Sequence, residues 1–345
     1  MTQNKLLPLA SANVANATTD DGDTDGTVFT TRRTLLKGAL AGGLLLAGGA
    51  ARAATNNGKT LRFGVIGPAR APAAPTGYAL SRGYLLRELA PLGFTDVRFD
   101  MFQNGPDLNE AFFSGTLDVG IYGDTPAVVA RSQGLKGRLI GFEEIGLASW
   151  LLTPRGGVRS IKELEGKSVG VPLGSYIHRY LLGVLDGAGL TGRTRVVHML
   201  GRDAGAALEH GSLGAYAAQS DLGPTLAAQG YPVIDRATDH PELLGSSVIV
   251  ASSEVLARAP QLPAAWNRAR RAALADIDRD PQAYFNFHKQ TTGIAEDAIR
   301  ISHPISNYPA DPLPASGIQI LDGVKRFLLN GKLIRNDFAL PQWQA

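Results

Sequence analysis

Short apolar segments alternate with amphipathic ones along most of the chain. Segments of two to six residues rich in Val, Ile, Leu and Ala predict strands at 61–66, 97–102, 117–122, 138–142, 149–152, 168–171, 196–200, 215–218, 233–234 and 247–251. Apolar residues spaced three to four apart predict helices at 78–90, 106–114, 161–164, 176–188, 204–209, 252–258, 263–279, 281–290, 295–301 and 314–330. Because strands alternate with helices up to residue 251, the pattern predicts a largely parallel α/β sheet.

The predicted strands fall into two groups with a turn-rich stretch between them. That stretch, Thr153-Pro154-Arg155-Gly156-Gly157, follows five strands and precedes four more. The last strand then leads into a helical tail. We therefore expect two lobes with a ligand cleft between them, since open α/β sheets bind ligands beyond the carboxyl ends of their strands. The predicted boundaries place 54–152 and 246–345 in lobe I and 153–245 in lobe II.

The N-terminal 53 residues carry the features of an export signal. Arg32 and Arg33 precede an uncharged Gly, Ala and Leu segment at 38–51, and Ala51-Arg52-Ala53 has the pattern of a cleavage site. The apolar segment is shorter than the roughly 20 residues that span a bilayer. It resembles a twin-arginine signal peptide, which predicts export by the twin-arginine translocase. Since the chain has no Cys, it cannot carry a lipid on an N-terminal cysteine, and we expect it in the periplasm.

Composition and charge exclude several classes of protein. Lys and Arg exceed Asp and Glu by 34 to 31, and the excess is not clustered, so no nucleic-acid partner is expected. The absence of Cys excludes a disulfide framework, a thiolate zinc site and a cysteine nucleophile. None of the six His residues pair at a metal-ligand spacing. We therefore predict no metal, no cofactor and no catalytic residue.

Four strand-to-helix turns, at 67–77, 123–126, 172–176 and 219–224, are candidate anion sites. The first turn of a helix offers free N–H groups and a partial positive charge of about half a unit. Gly123 permits close approach of the backbone, and Asp124 or Thr125 is expected to cap the following helix. Ser175 is expected to cap the helix that begins after it. Two of the turns lie in each predicted lobe, so together they predict a site that both lobes share.

Motifs in both halves of the chain carry a resemblance to a known family. The segment 104–126 combines a small-residue turn, a helix, a Gly-x-Leu-Asp-apolar-Gly strand and a Gly-acid-x-Pro turn. The segment 160–171 and the turn Gly174-Ser175-Tyr176-Ile177-His178 match the entry to the second lobe. These motifs resemble the periplasmic substrate-binding proteins of ABC importers for nitrate, taurine and aliphatic sulfonates.

The resemblance implies a type II periplasmic-binding-protein fold, in which two Rossmann-like lobes close on a ligand in the cleft between them. It implies a monomer that binds a small anion and delivers it to an ABC permease with its ATPase. The ligand-binding residues that it implies, together with the turns above, are Gly123, Asp124, Thr125, Ser175, Tyr176, His178, Tyr216, Gln219 and Asp221.

The sequence leaves several alternatives open. An aliphatic sulfonate or taurine is the first choice of ligand, with nitrate and a pyrimidine precursor of thiamine as alternatives; Tyr176 and Tyr216 would suit the pyrimidine. An enzyme on the same fold is a further alternative, although the desulfinase of this group depends on a cysteine. Asp124 either caps a helix or contacts an ammonium group of the ligand. His178 either donates to the anion or packs in the core.

Two arginines, Arg179 and Arg202, are the nearest countercharges to the predicted site. Both are expected on the surface, where an exposed guanidinium is most often found.

Overall fold

The computed structural model describes residues 59–67 and 69–345. The export signal predicted for residues 1–53 therefore lies outside the described residues. Within the described part of the chain, no helix is both long and apolar enough to cross a membrane.

Ten strands form two separate five-stranded sheets, and all ten coincide with strands predicted from the sequence. The strands are β1 (Thr60–Ile66), β2 (Asp96–Phe102), β3 (Val119–Gly123), β4 (Gly137–Leu147), β5 (Trp150–Leu152), β6 (Ser168–Val171), β7 (Arg195–His198), β8 (Ala215–Ala218), β9 (Val233–Arg236) and β10 (Gly245–Ser252).

The helices that cover the sheets are α1 (Pro75–Ser81), α2 (Tyr84–Leu89), α3 (Gly105–Phe113), α4 (Asp124–Ser132), α5 (Tyr176–Gly187), α6 (Gly201–Glu209), α7 (Leu222–Ala228), α8 (Ser253–Arg258), α9 (Leu262–Arg279), α10 (Pro281–Thr292), α11 (Glu296–Ser302), α12 (Ala315–Asn330) and α13 (Leu340–Trp343). The helix predicted at 78–90 is instead two helices, because Gly83 adopts a left-handed conformation with φ of 71° between them. The segment 161–164 forms a single 3-10 turn.

The two sheets share one strand order. The first runs β2-β1-β3-β10-β4 and the second β7-β6-β8-β5-β9. In each sheet four strands run in one direction, and the remaining strand, β10 or β5, is antiparallel to both of its neighbours. That antiparallel strand is the first one formed after the chain crosses from the other sheet. We call the first sheet and its helices lobe I, and the second sheet and its helices lobe II.

This strand order differs from the predicted boundary at residue 152. β5 pairs with β8 and β9 in the second sheet, so the chain changes sheet between β4 and β5. The reason is that β5 is an antiparallel strand that joins lobe II ahead of its first βα unit. The sequence pattern alone does not indicate which sheet an apolar segment before a turn-rich stretch will join.

Each sheet is buried on both faces. In β3, Val119 and Ile121 pack with α1, α2, α9 and α10, whereas Tyr122 packs with α3, α4 and α12. Lobe II has the same arrangement, with one core beneath α5 and another beneath α6 and α7. Trp266, Tyr284 and Phe285 of the helical tail lie in the lobe I core.

Candidate anion-binding site between the lobes

The N-terminal turn of α5 follows β6, the first parallel strand of lobe II, and presents free donors. Ser175 caps the helix, as predicted: its Oγ accepts from the main-chain N–H of His178 at 3.1 Å and donates to the carbonyl of Pro172 at 2.6 Å. The N–H groups of Tyr176 and Ile177 make no hydrogen bond within the described residues. A half-buried helix N-terminus with unpaired N–H groups is suited to an anion.

His178 lies in the first turn of α5 and is held in one orientation. Its Nδ1 accepts from the main-chain N–H of Gly174 at 3.3 Å, so in the neutral ring the proton is on Nε2. Burial lowers the pKa of His178 to about 4. The imidazole is therefore neutral at physiological pH, and its Nε2–H is a donor that makes no hydrogen bond in the described part of the chain.

The Tyr176 ring lies where the two lobes meet. A methyl group added at Gly123 would lie 3.3 Å from the ring, and one added at Gly245 would lie 2.4 Å from it, so the ring packs directly on the backbone of β3 and β10. Its hydroxyl accepts from the main-chain N–H of Ser220 at 3.4 Å. Burial raises the pKa of Tyr176, and the hydroxyl stays protonated. Gly245 is thus needed for close approach of Tyr176, and Gly123 eases it.

Asp124 is neither a helix cap nor a group that can reach a ligand. Gly123 occupies the N-cap position of α4 without a side-chain bond, so the predicted cap at Asp124 or Thr125 is wrong. Asp124 is fully buried, and its Oδ2 accepts from Ser246 N at 2.7 Å and Ser246 Oγ at 3.0 Å. Thr125, 3% exposed, donates to Asp124 Oδ1 at 2.9 Å. The carboxylate is therefore occupied by protein donors from three directions.

Arg179 is the cationic partner of Asp124, and the prediction that it lies on the surface is wrong. Its side chain is 1% exposed, and Nη2 lies 3.6 Å from Asp124 Oδ2. Nε donates to Thr125 Oγ1 at 3.3 Å. Arginine is usually exposed, but Arg179 is buried because the Asp124 carboxylate at the start of α4 supplies a countercharge. Arg202, in contrast, is exposed as predicted, and its Nη1 donates to Gln103 of lobe I at 3.1 Å.

The second wall in lobe II is the start of α7. Asp221 caps this helix, accepting from the main-chain N–H of Leu222 at 2.8 Å, and its carboxylate lies close enough to Tyr176 to raise the pKa of that residue further. Gln219 lies beside the first residue of α6, because a methyl group on Gly201 would be 3.3 Å from Gln219 Oε1. Both side chains are half-buried.

Tyr216 does not line the site. It is fully buried beneath α6 and α7, and its hydroxyl donates to the carbonyl of Met199 at 3.4 Å. The prediction fails because β8 is covered on both faces, so the tyrosine points into the lobe II core. Of the two aromatic residues that suited a pyrimidine, Tyr176 alone is at the cleft.

Sequence reasoning missed a buried cluster at the start of α1 in lobe I. The Glu143 carboxylate accepts from Thr76 N at 2.6 Å and Thr76 Oγ1 at 2.7 Å, and it pairs with Arg270 Nε at 3.0 Å. All three residues are at most 3% exposed. The α1 N-terminus, one of the four predicted anion sites, is therefore already filled by an internal carboxylate.

A second missed pair joins Glu144 on β4 to His303, which follows α11. Glu144 Oε2 lies 2.8 Å from His303 Nδ1. Burial works against the charged imidazolium, but Glu144 outweighs it and raises the pKa of His303, with a smaller contribution from Asp221 of lobe II. No local motif marks these residues, because the two come from segments far apart in the sequence.

The lobes touch at several places around this site. Pro106 of α3 lies against Gly174, Gln103 bonds to Arg202, and α7 packs against α11. Two surface depressions, of about 410 Å³ beside α12 and about 320 Å³ beside β9, contain none of the predicted site residues. Among the described residues there is no group of three or more His, Asp or Glu side chains that could hold a metal ion.

Three comparisons place this fold among known proteins. The family described as NMT1/THI5 like matches residues 95–284. A provisionally named aliphatic sulfonates-binding protein of Escherichia coli K12 is 29% identical over 189 residues, which are 54% of this chain and 56% of that protein. The match thus spans about half the length of that relative.

Solved structures extend the similarity of fold to both lobes. The periplasmic aliphatic sulphonate binding protein SsuA of Escherichia coli matches with a TM-score of 0.66 at 20% identity, covering 83% of this chain and 97% of that one. SsuA of Xanthomonas axonopodis pv. citri, bound to MOPS, matches with a TM-score of 0.67 at 20% identity, over 83% and 99%. The desulfurization enzyme DSZB matches with a TM-score of 0.67 at 17% identity, over 83% and 96%. The predicted two-lobed periplasmic-binding-protein fold is confirmed.

Proposed function

This chain belongs to the NMT1/THI5-like family, and we propose that it is the solute-binding protein of an ABC importer. It binds one small anion in the cleft and delivers it to a permease and its ATPase in the membrane. An aliphatic sulfonate, including taurine, is the ligand class that we favour. The name of the Escherichia coli relative supports this choice.

The observation that carries the proposal is the N-terminal turn of α5. Tyr176 and Ile177 offer N–H groups that have no partner among the described residues, and His178 of the same turn adds a neutral Nε2–H donor. A sulfonate is a permanent anion with three acceptor oxygens, so the three donors of this turn and the positive end of the helix suit it without a buried countercharge. Gly123, Gln219 and Asp221 complete the proposed walls.

Taurine has an ammonium group as well as a sulfonate, and Asp221 is the group that suits the ammonium. The Asp124 carboxylate is fully buried and occupied by Arg179 and Ser246, so it is not available. Asp221 is half-buried beside Tyr176, with one oxygen bonded to its own helix. We therefore expect Asp221→Asn to weaken taurine binding more than ethanesulfonate binding. Equal losses for the two ligands would contradict a role for Asp221 in holding the ammonium.

An enzyme on the same fold is the alternative, because DSZB has this fold. The chain has no cysteine, the residue on which the desulfinase chemistry depends. The proposed function therefore requires binding without turnover. A sulfinate incubated with the protein should be recovered unchanged, and release of sulfite would contradict the proposal.

Thermal unfolding of the purified protein with a panel of ligands tests the binding function. The panel contains ethanesulfonate, taurine, nitrate, sulfate and an aminopyrimidine. A ligand at 100 times its Kd stabilises the fold by about 2.7 kcal/mol, which raises Tm by several degrees. A rise with a sulfonate and none with sulfate is expected. A rise in Tm with the aminopyrimidine alone would contradict an anionic ligand and would indicate a pyrimidine ligand instead.

The location is proposed to be the periplasm, after export through the twin-arginine translocase. The paired arginines at 32 and 33 and the absence of Cys support this location. In cell fractionation, replacing Arg32 and Arg33 by Lys should retain the precursor in the cytoplasm. Unchanged recovery from the periplasm would contradict this route of export.

A further inference from the structure

A single buried guanidinium joins the two lobes beside the proposed site. Arg179 of α5 donates from Nη1 to the carbonyl of Glu242 at 3.3 Å and from Nη2 to the carbonyl of Leu244 at 2.8 Å. The same side chain contacts Asp124 and Thr125 in the first turn of α4. These contacts belong to lobe II, to the segment that crosses back into lobe I, and to lobe I itself.

Asp124 completes the junction from the side of lobe I. Its Oδ2 also accepts from the N–H and the hydroxyl of Ser246, at the beginning of β10. Arg179 thus holds the crossing segment at Glu242 and Leu244, and Asp124 holds it at Ser246. Because a guanidinium is planar, with its donors in a fixed fork, this set of contacts specifies an orientation as well as a distance.

The junction is close to the donors proposed to hold the anion. Arg179 follows His178 directly, and Thr125 lies in the first turn of α4 beside Gly123. Rotation of one lobe about the crossing segment would therefore change how these two helix N-termini face each other. The Arg179 and Asp124 side chains are buried contacts at the crossing segment that resist such a rotation.

Arg270 and Glu143 form a second buried ion pair, and its partners all lie within lobe I. This pair is as buried as Arg179 and Asp124, but its helices and strand, α9, α1 and β4, all belong to lobe I. The two pairs are alike in chemistry and differ in whether their partners lie on opposite lobes. Arg270 is therefore a matched control for Arg179.

We propose that Arg179 is a positioning residue, which holds the N-terminal turns of α4 and α5 in the one mutual orientation that binds the ligand. Arg179 does not contact the ligand in this proposal, and it acts through the orientation of the lobes. The inference rests on the proposed function for its effect on affinity. Its effect on the lobes themselves is independent of any ligand.

The experiment measures the distance between the lobes by pulsed electron paramagnetic resonance. The chain has no cysteine, so Glu110→Cys on α3 and Ala206→Cys on α6, both exposed, provide one spin label on each lobe. The label pair is placed in the full chain and in the variants Arg179→Lys, Asp124→Asn and Arg270→Lys. Tm and the Kd for ethanesulfonate are measured for each.

We expect Arg179→Lys and Asp124→Asn to broaden or shift the distance distribution without ligand and to weaken ethanesulfonate binding about tenfold or more. Arg270→Lys should lower Tm by a similar amount and leave both the distribution and Kd unchanged. Asp124→Asn is the milder change and keeps the test available if Arg179→Lys does not fold.

A distance distribution identical to that of the parent in both Arg179→Lys and Asp124→Asn would overturn the proposal, whatever the Kd. A distribution that changes equally in Arg270→Lys would also overturn it, because the effect would then follow lost stability. If ethanesulfonate does not bind the parent protein, the proposed ligand class fails. The ligand-free distances still decide the role of Arg179.

Discussion

Helices α1 and α5 occupy equivalent places in the two lobes, yet their N-termini differ in what they can bind. Each follows the first parallel strand of its sheet, β1 or β6, in the second position of the strand order. The first turn of α1 is filled by the Glu143 carboxylate, whereas the N–H groups of Tyr176 and Ile177 in α5 have no partner in the part of the chain that the structure describes. The difference comes from Glu143 on β4, which is far from both turns in the sequence but contacts the α1 turn in the fold. A βα turn is thus an anion site only when no internal carboxylate fills it.

The largest effect should come from emptying the α1 turn. Glu143→Ala leaves Arg270 buried without its carboxylate, which costs about 3–5 kcal/mol of unfolding free energy in comparable pairs. Chemical denaturation measures the loss. Formate or sulfate should restore part of it by occupying the vacated turn.

The control is Glu143→Ala with Arg270→Met, which lacks the cation and should respond less to the added anion. If formate stabilises neither variant more than the parent protein, the α1 turn is not an anion site and the comparison with α5 fails.

Overpacking at Tyr176 should have the next largest effect. Gly245→Ala places a methyl group 2.4 Å from the Tyr176 ring, which must move away from β10. Overpacking of this kind costs about 1–3 kcal/mol, and the shift of Tyr176 should also lower affinity for ethanesulfonate. Gly323→Ala in α12 is the control, because nothing lies within 4 Å of the added methyl. It should stabilise the fold slightly, and an equal loss in both variants would contradict the packing argument.

Removing the cap of α5 should have a smaller effect on stability. Ser175→Ala loses the bond to His178 N, which costs about 0.5–2 kcal/mol. Ser252→Ala removes an equivalent cap, the 3.1 Å bond to Val255 N at the start of α8, far from the α5 turn. Denaturation should show similar losses for both. Titration with ethanesulfonate should show weaker binding for Ser175→Ala alone. An equal loss of affinity in Ser252→Ala would contradict a role of the α5 turn in binding the ligand.

The last prediction concerns pH, and it is the one with the smallest expected effect on ligand affinity. Burial lowers the pKa of His178 to about 4, against about 6.5 in an unfolded chain. Between these two values the imidazole binds a proton in the unfolded chain but not in the folded one. His178 therefore reduces the free energy of unfolding as pH falls from about 6.5 to about 4. Affinity for ethanesulfonate should be flat from pH 8 to pH 5, because the imidazole stays neutral.

Denaturation curves for His178→Asn measured across this range isolate the contribution of His178. The variant should lose less stability than the parent between pH 6.5 and 4. Identical slopes would mean that the imidazole is not buried in its neutral form.

Local patterns were sufficient for the strands and for one cap, but not for burial. Ser175 was predicted correctly because its capping partner, the His178 N–H, lies only three residues further along the chain. Tyr216 was assigned to the site because alternation along a strand cannot distinguish a core face from a cleft face when helices cover both. Arg179 and Glu143 were missed or misplaced because their partners are distant in sequence. Only the tertiary fold brings such charges together.

The strand order has a consequence for how the chain folds. Lobe II is one uninterrupted segment, whereas β3 of lobe I pairs with β10, which follows the whole of lobe II. During synthesis, lobe II can therefore complete its sheet while β3 still has an unpaired edge, an edge of the kind that promotes aggregation. Lobe I has the longer-range pairings and should form in the slower kinetic phase. A destabilising substitution in β10 would therefore impair the folding of lobe I, although most of lobe I is synthesised before lobe II.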